Sequence, residues 1–273
     1  MIEFFKMSGS GNDFILIDNF NGTLTADEWV SLVPRLCARK GAVGADGLII
    51  IEKSERADFR WRFFNADGSE VDMCGNGGRC AARFALLKKI APAQMSFETG
   101  AGIIDATVNG ETVKLRLTDP RELALDHALE TAAGKLTVSS INTGVPHVVH
   151  FVDDLEHFDV CRTGNVIRYH EHYRPAGTNA NFVRVLDSHT IQVRTYERGV
   201  EDETLACGTG SAASALIADW RGLVSSPVEV LVQSGERLKI YFDRTEAGYR
   251  NVYLEGAAKV VYQGLLWEEA FKE

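Results

Sequence analysis

Residues 74–77 read Cys-Gly-Asn-Gly, and residues 207–210 read Cys-Gly-Thr-Gly. The two motifs lie 133 residues apart in the sequence. A glutamate stands four residues before each cysteine, as Glu70 in the first case and as Glu203 in the second. Similarity that recurs at a fixed offset is a signature of internal duplication. The sequence therefore predicts two copies of one structural unit.

Each predicted copy contains strands, then a helix, then further strands. The alternating segments 58–63 and 190–196 are typical of half-buried strands. Residues 76–90 and 209–220, which follow the cysteines, are rich in helix-forming residues. Each cysteine is therefore expected where a strand and its loop enter a helix. The polar stretch 118–135 is the predicted connection between the copies.

Composition limits the classes of partner. The chain has 273 residues, 45% of them hydrophobic, which is enough to form the core of one large domain or two ordinary ones. Its apolar runs are shorter than the roughly 18 residues that a membrane-spanning helix needs. A formal net charge of −9 without a dense basic cluster argues against nucleic acid. We therefore expect a small-molecule partner and no contact with nucleic acid or membrane.

The N-terminus and the cysteines indicate the cellular compartment. Lys6 and the run 8–11 stand where a secretory signal would need its apolar core, so we expect a cytoplasmic protein. The five cysteines are odd in number and widely spaced, which favours free thiols. No Cys-x-x-Cys pair occurs, and no metal is expected. Cys37, Cys80 and Cys161 are predicted to be packing residues.

A cysteine at a helix N-terminus is suited to acid/base chemistry. The unpaired N–H groups and the partial positive charge at that end favour an anion such as a thiolate. They can lower a cysteine pKa from about 8.5 by one to several units, which gives a proton acceptor near neutral pH. The motif glycines at 75, 77, 208 and 210 are expected to leave room for backbone N–H groups to contact a carboxylate.

Two such cysteines related by duplication indicate inversion at a carbon centre. A pseudo-twofold pair of domains would face a bound molecule with one thiol on each side. One thiolate, from Cys74 or Cys207, would remove a proton, and the opposite thiol would return a proton to the other face of the planar carbanion. The residues therefore predict an amino-acid racemase or epimerase that uses no cofactor.

Longer strings around these cysteines resemble the motifs of the diaminopimelate epimerases. Residues 64–70 read Phe-Asn-Ala-Asp-Gly-Ser-Glu and lead to Met-Cys-Gly-Asn-Gly at 73–77. Residues 196–200 read Tyr-Glu-Arg-Gly-Val and lead to Glu-Thr-Leu-Ala-Cys-Gly-Thr-Gly at 203–210. The string Gly-Ser-Gly-Asn-Asp-Phe at 9–14 is similar to the family's opening motif. The resemblance covers essentially the whole chain.

The resemblance implies an activity and a set of site residues. Members of the family convert LL-2,6-diaminopimelate to the meso form, without pyridoxal phosphate or metal, on the route to lysine and peptidoglycan. It implies that Cys74 and Cys207 are the acid/base pair and that His147 and Glu197 tune the pKa values of the cysteines. The implied substrate-binding residues are Asn12, Asn65, Gly75, Asn76, Asn179, Glu197, Arg198, Gly208 and Thr209.

Different members of this set have different implied roles. The backbones of 75–76 and 208–209 would donate to the carboxylate at the reacting carbon. Arg198 suits a bidentate clamp on a second, remote carboxylate. We therefore expect an amino-acid substrate with two carboxylates.

The resemblance also implies the fold and its division. We expect an α+β fold of two pseudo-twofold-related domains, each a curved mixed β-sheet wrapped around a central helix. Residues 1–118 would form the half that carries Cys74, and residues 119–262 the half that carries Cys207. Residues 263–273 would form a tail that returns to the first half. We also expect a homodimer.

Two departures from the family pattern leave alternatives open. Val145 stands where many relatives have an asparagine, and Gly47 stands where some have a glutamine, so each position lacks an amide. One alternative is a racemase or epimerase of another amino acid, of the proline or histidine type. Another is a thiol redox or zinc-dependent switch protein that uses Cys74, Cys80 and Cys207.

Overall fold

The computed structural model describes residues 1–132 and 134–271 and divides into two compact units. Unit one comprises Met1–Leu115 and Gly256–Glu273, and unit two comprises Arg116–Glu255. The division at 118/119 and 262/263 refers to duplicated halves of the sequence and stays a prediction.

The elements are named in chain order. Within the described residues the α-helices are α1 (Ala26–Leu36), α2 (Gly75–Leu87), α3 (Val160–Arg168) and α4 (Gly208–Trp220), and 3₁₀ turns occur at Glu171–Tyr173 and Glu268–Phe271. The strands are β1 (Ile2–Gly9), β2 (Asn12–Asp18), β3 (Gly47–Glu52), β4 (Phe59–Asn65), β5 (Glu70–Val71), β6 (Gln94–Thr99), β7 (Gly102–Asn109), β8 (Thr112–Arg116), β9 (Arg121–Thr131), β10 (Gly134–Asn142), β11 (Pro146–Phe151), β12 (Asn179–Asp187), β13 (Thr190–Glu197), β14 (Asp202–Thr204), β15 (Val228–Leu231), β16 (Arg237–Thr245), β17 (Gly248–Ala257) and β18 (Lys259–Leu266). None of these helices is long and apolar enough to cross a membrane.

In unit one a mixed sheet packs around α2. Strands β1 and β2 are antiparallel, β2 and β3 parallel, β3 and β4 antiparallel, and β4 and β6 parallel. The parallel pair β2–β3 needs a crossover connection, which contains α1. The helix α2 buries its apolar residues against Trp61 and Phe97. The final strand β18 pairs with β1, with Leu266 opposite Ile2.

Unit two repeats this order of pairing. Strands β10 and β11 are antiparallel, β11 and β12 parallel, β12 and β13 antiparallel, and β13 and β15 parallel. The crossover between β11 and β12 contains α3, and β9 pairs with β10 as β18 does with β1. The central helix α4 buries Ala212, Ala213 and Ala215 completely. The predicted α+β fold, with a mixed sheet around one helix in each copy, is confirmed.

The predicted connection over 118–135 was wrong. Residues 121–131 form strand β9, which pairs antiparallel with β10 and places Leu129 opposite Leu136. Exposed and less exposed residues alternate along β9, because only one of its faces is covered. The polar composition of the stretch therefore reflects the solvent-facing side of a strand and not a loop.

Candidate active site

Cys74 is the N-cap residue of α2. Its backbone is extended, with φ −144° and ψ 120°, and its Sγ accepts a hydrogen bond from the backbone N–H of Gly77 at 3.5 Å. The side chain is partly buried. The first N–H groups of a helix have no acceptor inside the helix. The sulfur therefore lies where the positive end of the helix dipole favours a thiolate.

Two of the predicted binding residues near Cys74 hold each other through their amides. The Asn12 Oδ1 accepts a hydrogen bond from the Asn76 Nδ2 at 2.7 Å. The Asn12 Nδ2 donates to the Asp46 Oδ2 at 3.0 Å, and Asp46 accepts a further bond from Arg39 at 2.6 Å. The sequence did not indicate Asp46 or Arg39, because neither belongs to a motif. This network fixes the amide planes of Asn12 and Asn76.

A buried arginine behind Cys74 was also missed by sequence reasoning. Arg79 of α2 is fully buried, and its Nη2 donates to the Ser10 Oγ at 2.7 Å and to the Asn76 Oδ1 at 3.0 Å. Its Nη1 donates to the Gly75 carbonyl oxygen at 3.3 Å. Arg79 therefore ties the first turn of α2 to the loop after β1. A charged residue among the small and apolar residues of α2 was the available signal.

The recurring glutamates brace the hairpins that lead to the cysteines. In unit one Glu70 accepts two bonds from Arg62, each at 2.8 Å. In unit two Glu203 accepts two bonds from Arg194, each at 2.7 Å. Each arginine lies on the first strand of its hairpin and each glutamate on the second, so the glutamates recur for a structural reason. Asn65 ends the unit-one strand, is exposed, and donates to a serine hydroxyl at 3.1 Å.

Cys207 is the N-cap residue of α4. Its backbone is extended, with φ −117° and ψ 112°, and 8% of its surface is exposed. Its Sγ lies 3.6 Å from the Thr209 Oγ1, within hydrogen-bonding distance for sulfur. The two predicted catalytic cysteines thus occupy the same position on matching helices but have different neighbours.

His147 lies behind Thr209 in unit two. Its Nε2 is 3.0 Å from the Thr209 Oγ1, and its Nδ1 is 3.2 Å from the Asn181 Nδ2. Burial, together with the positive charge of Arg198, lowers the pKa of His147 to about 3. The imidazole is therefore neutral at physiological pH. The sequence did not indicate Asn181, although an asparagine within an otherwise apolar strand was a signal.

Glu197, Arg198 and Asn179 form a second polar group in unit two. Burial raises the pKa of Glu197, whose Oε2 accepts a bond from the Thr204 hydroxyl at 3.0 Å. The Asn179 Oδ1 accepts the backbone N–H of Arg198 at 2.8 Å, and its Nδ2 donates to the Pro146 carbonyl oxygen at 3.1 Å. Asn179 therefore positions the loop that carries Arg198.

The motif glycines differ in what they allow. Apart from its chain neighbours and the backbone of its own helix, no described residue has an atom within 4 Å of a Cβ built on Gly75, and a Cβ on Gly208 would lie 3.0 Å from Leu254. A Cβ on Gly77 would lie 3.1 Å from Ile49, and one on Gly210 would lie 2.2 Å from the Asn181 Oδ1. Three of the four glycines therefore permit close packing, most tightly Gly210, and the expectation that the motif glycines leave room for a ligand stays a prediction.

The other cysteines lie in contrasting surroundings. Cys37 and Cys80 are buried, as predicted for packing residues, and Cys80 lies in the core of unit one. Cys161 is exposed and donates to the Asp202 Oδ1 at 3.1 Å, so its predicted packing role was wrong. The described residues contain no group of three or more His, Cys, Asp or Glu side chains that could hold a metal.

The departure at Gly47 also has a packing reason. A Cβ at this position would lie 2.5 Å from the Phe63 ring and 2.6 Å from the Phe64 carbonyl oxygen. A glutamine would therefore fit only if both the Phe63 ring and the backbone of Phe64 moved. Val145 is half-buried in the turn before β11, where its carbonyl oxygen accepts the Thr143 N–H at 3.2 Å.

Solved structures similar to this chain share its fold at low sequence identity. A phenazine biosynthesis protein of the PhzF family from Bacillus anthracis has a TM-score of 0.74 and 19% identity, over 97% of this chain and 99% of that one. A hydroxyproline epimerase from Agrobacterium vitis has a TM-score of 0.69 and 14% identity, over 96% of this chain and 91% of that one. At these identities the likeness establishes the fold alone.

Sequence comparison is more specific. The family model described as diaminopimelate epimerase matches residues 4–122 and 139–261. The diaminopimelate epimerase of Aquifex aeolicus is 45% identical over 282 residues, covering 99% of this chain and 100% of that protein. The diaminopimelate epimerase of Archaeoglobus fulgidus is 44% identical over 278 residues, covering 97% and 96%. The chain belongs to the diaminopimelate epimerase family.

Proposed function

We propose that this protein converts LL-2,6-diaminopimelate to the meso form, for lysine and peptidoglycan biosynthesis, with Cys74 and Cys207 as the acid/base pair. One observation carries the proposal: each cysteine is the N-cap residue of the central helix of its unit. The names of the relatives supply the substrate.

The chemistry follows from what a helix N-terminus provides. The thiolate of one cysteine removes the Cα proton, and the thiol of the other delivers a proton to the opposite face. Meanwhile the substrate carboxylate gains negative charge as the carbanion forms. Backbone N–H groups of Gly75, Asn76, Gly208 and Thr209 lie in the first helical turn, where they have no acceptor inside the helix, and can stabilise this charge. No step of this sequence calls for an electron sink such as pyridoxal phosphate.

The remaining predicted residues would hold the rest of the substrate. Arg198 offers its guanidinium to the distal carboxylate, and Asn179 fixes the backbone of Arg198 at 2.8 Å. Asn12 and Asn65 offer amides from unit one. Glu197, a carboxyl whose pKa is raised by burial, and His147 would set the charge state of the site.

We further propose that the protein is a cytoplasmic homodimer. Three apolar side chains at the end of unit one, Val261, Leu265 and Trp267, are 59%, 60% and 61% exposed, and such a surface suits a second copy of the chain. Light scattering during size-exclusion chromatography should give twice the chain mass. A monomer at micromolar concentration would contradict this part of the proposal.

The experiment that tests the function combines substrate choice with cofactor dependence. The protein is dialysed with a chelator, kept in reductant, and assayed in deuterated water for α-proton exchange on diaminopimelate and on a panel that includes proline and histidine. We expect exchange and LL-to-meso conversion with diaminopimelate alone. Faster turnover of another amino acid would overturn the substrate, and activity restored only by an added cofactor would overturn the mechanism.

The same assay tests the cysteines. Cys74→Ala and Cys207→Ala should each lose net epimerisation by at least about 10³-fold, because removal on one face must be matched by delivery on the other. Cys161→Ala is the matched control, since this cysteine is exposed and bonded to Asp202, and it should keep full activity.

A further inference from the structure

We propose that Asn181, His147 and Thr209 form a directional hydrogen-bond chain that ends at the sulfur of Cys207 and favours its thiolate. This inference rests on the proposed function, because it deepens the role of Cys207. Asn181 and His147 are positioning residues in this account, since they act on the sulfur through the Thr209 hydroxyl.

The direction of the chain begins at Asn181, whose amide orientation is fixed by its surroundings. Its Nδ2 lies 2.8 Å from the Val148 carbonyl oxygen, which can only accept. Its Oδ1 accepts the Thr195 hydroxyl at 3.0 Å. A flipped amide would set two oxygens against each other at Val148. The nitrogen, with its second hydrogen, therefore also faces the Nδ1 of His147 at 3.2 Å.

The next step is the tautomer of His147. Its Nδ1 faces a donor, so Nδ1 must accept. The side chain is 1% exposed, and burial keeps the ring neutral. Arg198 is the charged group that acts on the ring, and its positive charge opposes protonation further. A neutral imidazole that accepts at Nδ1 carries its proton on Nε2, which then donates to the Thr209 Oγ1 at 3.0 Å.

The last step is the hydroxyl of Thr209. A hydroxyl has one hydrogen to donate. Because the oxygen accepts from His147, the hydrogen is directed to the Cys207 Sγ at 3.6 Å. A donor aimed at sulfur stabilises the thiolate more than the thiol. The neutral histidine thus favours the anion without taking up a proton itself.

Unit one lacks the components of such a chain at the matching positions. The parallel register places Phe14 of β2 where β11 carries His147. It likewise places Ile49 of β3 where β12 carries Asn181. Both unit-one residues are apolar and buried in the core. The chain is therefore a feature of the Cys207 site.

The first test reads the tautomer in the unmodified protein. Histidine labelled with ¹⁵N has different shifts for protonated and unprotonated ring nitrogens. We expect His147 to carry its proton on Nε2 and to stay neutral across the pH range in which ordinary histidines titrate. A proton on Nδ1, or an imidazolium, would overturn the proposal. In Asn181→Asp the acceptor replaces the donor, and we expect the proton to move to Nδ1.

The second test reads the effect on Cys207. Thr209→Val removes the hydroxyl but keeps the backbone N–H, and it should move the ascending limb of the pH–rate profile upward by about one pH unit. Thr209→Ser restores a hydroxyl and should return the limb to its original position. Thr143→Val is the matched control, because its buried hydroxyl bonds the Thr209 carbonyl oxygen and not the sulfur.

The outcomes separate this inference from the proposed function. If Thr209→Val keeps the original profile while Cys207→Ala is inactive, the function stands and the hydrogen-bond chain is wrong. If Thr143→Val shifts the limb as much as Thr209→Val does, the shift reflects lost packing and the chain is again wrong. If Cys207→Ala retains epimerisation, the two-cysteine mechanism of the proposed function fails, and the hydrogen-bond chain loses its role with it.

Discussion

The two cysteine sites have the same backbone and different surroundings. Cys74 and Cys207 both cap the central helix of their unit from an extended conformation. Around Cys74 the sulfur accepts a backbone N–H, and the nearby Asn12 amide is held by Asp46, which Arg39 holds in turn. Around Cys207 a histidine lies behind the hydroxyl next to the sulfur. Duplication preserved the helix end, while divergence of the strands beneath it altered the acid/base environment.

The two Arg–Glu ion pairs behind the cysteine motifs, one in each unit, should give the largest contrast. Removing the arginine should cost much more free energy of unfolding in unit two than in unit one. Arg194 and Glu203 are 15% and 16% exposed, and Arg194 also donates to three carbonyl oxygens. Removing one partner leaves a buried charge, so Arg194→Ala should lower the free energy of unfolding by about 3 kcal/mol. Glu70 in the other brace is 47% exposed, so Arg62→Ala should cost about 1 kcal/mol. Urea unfolding measures both, and equal losses would contradict the contrast.

The motif glycines give the next largest contrast. In Gly210→Ala the new Cβ would lie 2.2 Å from the Asn181 Oδ1. Neighbouring groups must shift to avoid this clash, so the variant should lose about 2 kcal/mol of unfolding free energy. In Gly75→Ala the new Cβ meets no described atom within 4 Å beyond its chain neighbours and its own helix backbone, so the change should stay within about 0.5 kcal/mol. Chemical denaturation decides between them. A Gly210→Ala variant as stable as the parent would contradict the contrast, because the helix and strand would then separate at little cost.

The buried His147 of unit two should make the free energy of unfolding depend on pH. The unfolded chain takes up a proton on His147 near its ordinary pKa of 6.5, whereas the folded chain does so near 3. Stability is therefore lost as pH falls below about 6.5, and the loss reaches about 2 kcal/mol at pH 5. Unfolding of the parent and of His147→Gln at pH 7 and pH 5 isolates this contribution. Parallel losses in both proteins would mean that His147 is not held neutral.

Substitution of Arg198 should give the smallest effect in free energy, and it should change catalytic efficiency rather than stability. Arg198→Lys keeps the charge but loses the planar fork, so catalytic efficiency on diaminopimelate should fall at least about tenfold, or about 1.4 kcal/mol. Stability should change little. The clamp assignment is wrong if the variant works as well as the parent.

Local sequence predicted the shared features of the two sites well. Both helices begin within one residue of their predicted starts, since an N-cap residue and its glycines are encoded next to each other. The stretch that contains strand β9 was predicted to connect the copies, because pattern alone does not tell which polar faces are covered by tertiary contacts.

The differences between the sites were harder to predict. Asn181 reaches the Cys207 site through His147, and Arg79 reaches the loop after β1 through Ser10. These contacts join residues that are 34 and 69 positions apart. No local rule assigns a partner at that separation. The β11–β12 register brings Asn181 to His147, and the packing of α2 brings Arg79 to Ser10. Gly47 likewise needed the position of the Phe63 ring before its role was clear.

The central claim, two non-equivalent thiols with one face each, is tested most directly by stereospecific deuterium incorporation. Cys74→Ala and Cys207→Ala are each incubated in deuterated water with separate diaminopimelate stereoisomers across a range of pH. The account predicts no net inversion by either variant. It also predicts that any residual exchange is confined to one stereoisomer and that the two variants prefer opposite ones. Substantial LL-to-meso conversion by either single variant would contradict it, because one base or a solvent-delivered proton would then carry the reaction.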